Sequence, residues 1–114
     1  MLVDQNFFNI ERKKLIQLFH SSKFQEALSI AEKILSADPN DISILEVKGK
    51  IHLSLGDINS TINCYLKTIQ LNPNCEKNYN AIALLLGKIG QNEKAIQYLN
   101  KSFDINSKNP TTHF

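Results

Sequence analysis

The residues of this chain that could do chemistry are few and lie far apart in the sequence. Its 114 residues include three histidines and two cysteines. None of the histidines (His20, His52, His113) has a second metal-ligating side chain three or four residues away, the spacing that places two ligands on one helix face. Cys64 and Cys75 have no identified base to activate a thiol, and no glycine-rich phosphate loop occurs. The sequence therefore predicts a non-catalytic protein without a metal or other cofactor.

Charge and cysteine usage narrow the function classes further. Thirteen Lys and Arg against eleven Asp and Glu give a net charge of +2, too small an excess to indicate a nucleic-acid-binding protein. No apolar run approaches the roughly 20 residues that span a bilayer, and the first residues do not form a secretory signal. Two cysteines without a CxxC pattern favour a reducing compartment. We expect a cytoplasmic protein with no membrane and no nucleic-acid partner; a Cys64–Cys75 disulfide is the alternative to free thiols.

The sequence repeats itself with a period of 34 residues. This spacing separates Pro39 from Pro73 and Gly56 from Gly90, and it recurs along Ala27, Thr61 and Ala95. It divides the chain into units 8–41, 42–75 and 76–109, and it makes 110–114 the start of a truncated fourth unit. A fixed period of this length is typical of helical repeat proteins.

Each unit contains two helical patterns of apolar residues with a break between them. In the second unit, Leu45, Gly49 and Leu53 recur with the helical period, Gly56 suits a left-handed helix terminus, and Pro73 ends the following helix. No segment alternates apolar and polar residues over the length of a strand. The pattern predicts an all-α chain of six helices.

These residues resemble the tetratricopeptide repeat (TPR). Its unit has a small residue in the middle of the first helix, Gly at the turn, Ala early in the second helix and Pro at the end. The three units cover 102 of the 114 residues in one phase. The resemblance implies a single domain folded as a right-handed α-solenoid, with the first helices on a concave surface and the second helices on a convex one. It rests on Phe24, Ala27 and Pro39 in the first unit, on Leu45, Gly49, Gly56, Tyr65 and Pro73 in the second, and on Tyr79, Ile82, Ala83, Gly90 and Ala95 in the third.

The first unit departs from this pattern in its first helix. Glu11 stands where a large apolar residue is expected, and Leu15 stands where a small one is expected. At the break between its helices, Ser22 and Gln25 have the spacing of a capping box, so the sequence predicts that Ser22 caps the second helix.

The resemblance implies a protein-interaction scaffold that binds a peptide or a partner helix in the concave groove. The face of the first helices that would line this groove has five cations and one anion, which predicts a preference for an acidic ligand. The alternative is that these lysines only solvate helix faces. The candidate contact residues are Asn9, Arg12, Lys13, Glu46, Lys50, Lys77, Asn80, Leu84 and Lys88, with Ile16, Ser43, Val47 and Ala81 on the same face.

The last predicted helix carries an apolar face near the end of the sequence. The last helix offers Ile96, Leu99, Phe103 and Ile105 with only a few residues after it to cover them. This predicts either a fragment of a longer array or self-association through an uncapped C-terminal helix.

The rival functions are an accessory array of a longer enzyme, such as a glycosyl- or sulfotransferase, and a helical-repeat RNA binder.

Overall fold

The computed structural model describes residues 5–107, with side chains from Phe7 onward, and this part of the chain forms six helices and no strand. The predicted all-α fold is confirmed. The start of the second helix recurs every 34 residues in the three predicted units. The predicted truncated unit at 110–114 lies outside the described residues. The helices are α1 (Gln5–His20), α2 (Phe24–Ala37), α3 (Ile42–Ser54), α4 (Ile58–Leu71), α5 (Glu76–Lys88) and α6 (Asn92–Ser107).

The helices form two compact units, whose boundary lies within α4 between Cys64 and Tyr65. In the first unit, α1 packs on α2 and α2 packs on α3. In the second unit, α5 packs on α6. The helices pack through apolar faces with the helical period, but in α6 only Ala95 of this pattern is buried, while Ile96, Leu99 and Phe103 are exposed. The core of the first unit contains Leu15, Ala27, Ala31, Ile34, Ile44 and Ile51, and the buried residues of the second include Tyr79, Ile82, Ala83, Leu86 and Ala95.

The turns inside the three repeats share one backbone conformation. Gly56 and Gly90 both have a φ of +83°, and Ser22, at the equivalent position of the first repeat, has a φ of +60°. The predicted capping box of Ser22 and Gln25 is wrong. Lys23 is the N-cap of α2, without a side-chain cap hydrogen bond. Ser22 instead occupies the left-handed position that ends the preceding turn, a conformation in which glycine is the favoured residue.

Aspartates cap α3 and α4. The Asp41 carboxylate accepts a hydrogen bond of 3.3 Å from the Ile44 amide, and Asp57 accepts one of 3.1 Å from the Ser60 amide. The Ser60 hydroxyl also donates to Asp57, at 2.6 Å, and these hydrogen bonds lower the pKa of the Asp57 carboxyl. These caps satisfy amides that have no partner within the helix, and they fix where each helix begins.

A buried threonine replaces the alanine expected early in α4. The Thr61 hydroxyl lies 3.1 Å from the carbonyl oxygen of Gly49 in α3 and 2.9 Å from that of Asp57, and it donates to these acceptors. Because Gly49 has no side chain, the two helix backbones can approach closely enough for this contact. The hydroxyl is therefore buried with its hydrogen bond made, as a polar group inside a core requires.

Two glycines near the end of α5 provide a matched test of backbone strain. An added Cβ would meet no atom within 4 Å at Gly87 or at Gly90, but only Gly90 has a positive φ. We expect Gly90→Ala to lower the free energy of unfolding by about 1–2 kcal/mol. Gly87→Ala, in helical backbone, should raise it by about 0.4–1 kcal/mol. Urea denaturation of the two variants measures both effects, and changes of the same sign would contradict this assignment.

Candidate functional site

The predicted contact residues lie on the first helix of each repeat and remain in contact with solvent. Of the nine candidate contact residues, Arg12 and Glu46 are half-buried and the other seven are exposed. On the same predicted face, Val47 and Ala81 are half-buried, and Val47 packs against the core of the first unit. The first unit holds Asn9, Arg12, Lys13, Glu46 and Lys50, and the second holds Lys77, Asn80, Leu84 and Lys88. The candidate site is therefore described separately for the two units.

The face of α1 contains a shallow depression with a volume of about 370 Å³. It is lined by Arg12, Lys13, Ile16 and Gln17. Ile16 is exposed, although it is a large aliphatic residue. Three of these residues belong to the predicted face. Gln17 was not predicted, although its position four residues after Lys13 places it one helical turn away. The depression offers an apolar surface between the stems of two cationic side chains.

Arg12 forms an ion pair that the sequence pattern does not reveal. Its guanidinium donates to the carboxylate of Asp41, the residue that caps α3. Asp41 lies 29 residues later in a short loop, and no helical period relates it to α1. The pair ties α1 to the start of α3 and reduces the predicted positive excess of the contact face by one charge. Arg12 is thus a structural residue as well as a member of the face.

The remaining charges of the face differ in their surroundings. Lys13, Lys50 and Lys88 form no ion pair with any residue between 5 and 107. Glu46 and Lys77, in contrast, are each engaged with other groups of the chain. Among the described residues, no ion pair therefore neutralises the charges of these three lysines.

In the second unit the corresponding face of α5 also carries an exposed aliphatic side chain. Leu84 is 68 % exposed and stands two repeat lengths after Ile16. Asn80 precedes it by one helical turn and Lys88 follows it by one turn, both exposed. Each unit thus presents an aliphatic residue with a cationic side chain within one turn of it.

The groups that could do chemistry are not brought together. No cluster of three metal-ligating side chains exists within the described range. Cys64 and Cys75 are free thiols, so the alternative of a disulfide is wrong, and burial raises the pKa of the Cys64 thiol. His52, at the end of α3, lies with its Nδ1 atom 3.8 Å from the Asp57 carboxylate.

The helices between residues 5 and 107 include none that is both long and apolar enough to span a bilayer.

Comparison with protein families and curated proteins gives two matches. Residues 20–113 match the family described as anaphase-promoting complex, cyclosome, subunit 3. A curated relative, TPR repeat-containing protein MJ1428 of Methanocaldococcus jannaschii, is 31 % identical over 93 residues. The match covers 81 % of this chain but only 16 % of that protein, so the chain corresponds to a small part of this relative.

Solved structures share the fold at low sequence identity. The segment of MamA from Desulfovibrio magneticus RS-1 that runs from residue 41 to the end superposes with a TM-score of 0.83 at 17 % identity, over 92 % of this chain and 59 % of that segment. The Yersinia enterocolitica type III secretion translocator chaperone SycD gives a TM-score of 0.81 at 14 % identity, over 96 % of this chain and 76 % of SycD. At these identities the likeness concerns the arrangement of helices.

Proposed function

The chain belongs to the tetratricopeptide-repeat family, and from this premise we propose that it is a non-catalytic scaffold that binds an acidic peptide or partner helix. The observation that supports this proposal is the pairing of an exposed aliphatic residue with a cation on the first helix of a repeat. Ile16 lies beside Lys13 in α1, and Leu84 lies one turn from Lys88 in α5. The structural neighbour SycD is a type III secretion translocator chaperone, which is consistent with a binding role.

Two forces would act on such a ligand. An aliphatic ligand side chain that covers Ile16 or Leu84 gains about 25 cal/mol for each Å² of apolar surface removed from water. A carboxylate next to it would meet Lys13, Lys50 or Lys88, which form no ion pair with a described residue. Such exposed charges contribute more to specificity and association rate than to affinity. The ligand class is therefore a segment with alternating aliphatic and acidic residues.

A pair of labelled peptides tests this proposal. Both contain the same leucines, and one carries Glu where the other carries Lys. We expect the Glu peptide to bind about tenfold more tightly, which corresponds to about 1.4 kcal/mol, and its affinity to fall as salt screens the charges. Fluorescence anisotropy at low and high salt measures both effects.

The charge-reversal variant Lys13→Glu/Lys50→Glu should remove this preference. The matched control is Lys67→Glu/Lys101→Glu, which makes the same charge change at exposed positions of α4 and α6. If both double variants bind the Glu peptide equally, or if salt has no effect, the lysines of the contact face only solvate their helices and the proposed ligand class is wrong.

Other expectations from the sequence remain predictions. Self-association through α6 is tested by light scattering of the concentrated protein, where a strict monomer would contradict it. An RNA-binding role predicts that single-stranded RNA competes with the Glu peptide at physiological salt. An accessory role in a longer enzyme and the cytoplasmic location are hypotheses that these binding experiments do not address.

A further inference from the structure

The depression on α1 has two cationic side chains at its sides, and these differ in their surroundings. Ile16 follows Arg12 by four residues and Lys13 by three, so its exposed side chain lies one helical turn after both and between them. Gln17 completes the lining. Lys13 forms no ion pair with a described residue, whereas Arg12 is paired with Asp41. One side of the depression is therefore cationic, and the charge of the other side is neutralised.

Asp41 holds Arg12 with one carboxylate oxygen and caps α3 with the other. Its Oδ2 accepts a hydrogen bond from the Arg12 guanidinium, and its Oδ1 accepts the 3.3 Å hydrogen bond from the Ile44 amide. Because the cap fixes the carboxylate, the carboxylate restrains the guanidinium. The Asp41 side chain is only 9 % exposed, against 37 % for Arg12. A ligand on the contact face therefore meets the arginine, while the aspartate acts from behind it.

This ion pair is not a feature of the repeat. The residues 34 positions after Arg12 and Asp41 are Glu46 and Cys75, which cannot form the same pair. Cys75 precedes α5 without a side-chain cap hydrogen bond. Arg12 is also the only arginine in the sequence. The restrained arginine therefore distinguishes α1 from the first helices of the other two repeats.

A restrained arginine gives the depression a fixed wall. The methylene stem of an arginine covers apolar surface while its charged group is held elsewhere. An unpaired stem of this length has many rotamers, and ordering it on ligand binding would cost affinity. With Asp41 in place, this ordering occurs when the protein folds. The volume of about 370 Å³ has room for a large aliphatic side chain, and the charge of Lys13 complements a carboxylate beside it.

We propose that the α1 depression is the anchor subsite of the contact face, that it takes one aliphatic side chain of the ligand, and that Asp41 is the positioning residue that holds Arg12 as its wall. This inference rests on the proposed function, because it names the ligand residue that the contact face selects. Asp41 has two effects on the subsite. It fixes the wall, which strengthens the selection of an aliphatic residue, and it cancels one positive charge, which weakens the preference for an acidic one.

The variant Asp41→Asn tests both effects, because asparagine still caps a helix but has no negative charge to hold the guanidinium. The probes are the Glu peptide, its Lys counterpart and a third peptide, the Glu peptide with alanine in place of its leucines. The wild type should bind the Glu peptide about tenfold more tightly than the alanine peptide. In Asp41→Asn this ratio should fall to about threefold, while the Glu-over-Lys ratio should rise about threefold because one more cation is unpaired.

The matched control is Asp38→Asn. It makes the same change of charge in the same loop, at an exposed residue that is not paired with Arg12. Both affinity ratios should stay within about twofold of the wild type, because solvent and salt screen an exposed charge. A purely structural role of Asp41 would lower the urea midpoint and weaken binding of all three peptides by the same factor. Changes of the two ratios in opposite directions are the result that such a role does not produce.

The single arginine allows a second measurement that needs no peptide. In protein labelled with nitrogen-15, the Nε–H group of Arg12 gives one side-chain signal of its kind. Its heteronuclear NOE should be that of a restrained group in the wild type and that of a mobile group in Asp41→Asn. This signal should also shift on addition of the Glu peptide and stay in place with the alanine peptide, which would assign the anchor contact to α1 rather than to Leu84 of α5.

Two results would overturn the proposal. The first is an Arg12 side chain that is equally mobile in the wild type and in Asp41→Asn, because no wall would then be held. The second is a wild type that prefers the Glu peptide to the Lys peptide while Asp41→Asn changes neither ratio. A wild type that treats the Glu and Lys peptides alike contradicts the proposed acidic ligand instead. The anchor subsite is then supported by a leucine-over-alanine ratio that Asp41→Asn reduces, and overturned if the wild type binds both of these peptides equally.

Discussion

Replacing Leu15 by alanine is expected to lower the free energy of unfolding by about 2–5 kcal/mol, as is usual for truncating a buried leucine. Leu15 is wholly buried in the core of the first unit, together with Ala27, Ala31 and Ile34. Since domains of this size are stable by about 5–15 kcal/mol, the variant should show a clear loss in its urea midpoint. Ile10→Ala, at an exposed position of the same helix, should change stability by less than about 0.5 kcal/mol.

A loss of stability in Leu15→Ala would contrast with the other two repeats, which have small residues at this position. The equivalent positions hold Gly49 and Ala83, so Leu15→Ala brings the first repeat closer to the family pattern. The structure nevertheless predicts a loss, because the neighbours of Leu15 are already packed around the larger side chain and alanine would leave a cavity. An unchanged urea midpoint would mean that α1 and α2 close over the missing atoms.

Replacing Glu11 by leucine should have the opposite effect and raise the free energy of unfolding by about 1–4 kcal/mol, in line with buried ionic groups replaced by apolar ones. Glu11 is buried, and its Oε2 atom has no hydrogen-bond partner among the described residues. Its Oε1 lies 3.8 Å from Nζ of Lys33, a long contact to an exposed side chain. The equivalent positions hold Leu45 and Tyr79, both buried, so the repeat has room for a large apolar residue here.

The control is Glu11→Gln, which keeps the shape and polarity of the side chain but removes its charge. It should gain less than Glu11→Leu because a buried polar group would still lack a partner. Lys33 does not lose all its contacts in either variant, since its Nζ also lies 5.1 Å from the ring centroid of Phe7. If Glu11→Leu unfolds at lower urea than the wild type, the ion pair with Lys33 outweighs the cost of burying the carboxylate.

The sequence by itself determined the helices and their order. The 34-residue period places the helix starts, and the 3.6-residue period marks the apolar face of each helix. Gly56 and Gly90 mark turns because a positive φ strongly favours glycine. The apolar stripe Ile96, Leu99 and Phe103 was also predictable, because residues three and four apart lie on one helix face, and the structure leaves these three side chains exposed. These features depend on local spacing, which a sequence displays directly.

The tertiary structure decided the features that depend on contacts between distant residues. The departure of Glu11 from the repeat pattern was visible in the sequence, but its burial without a partner for Oε2 was not. The ion pair of Arg12 with Asp41 joins a helix to a loop 29 residues later in the chain. In each case the deciding quantity is the distance between atoms that the packing of α1, α2 and α3 brings together, and no periodicity within one helix contains that distance.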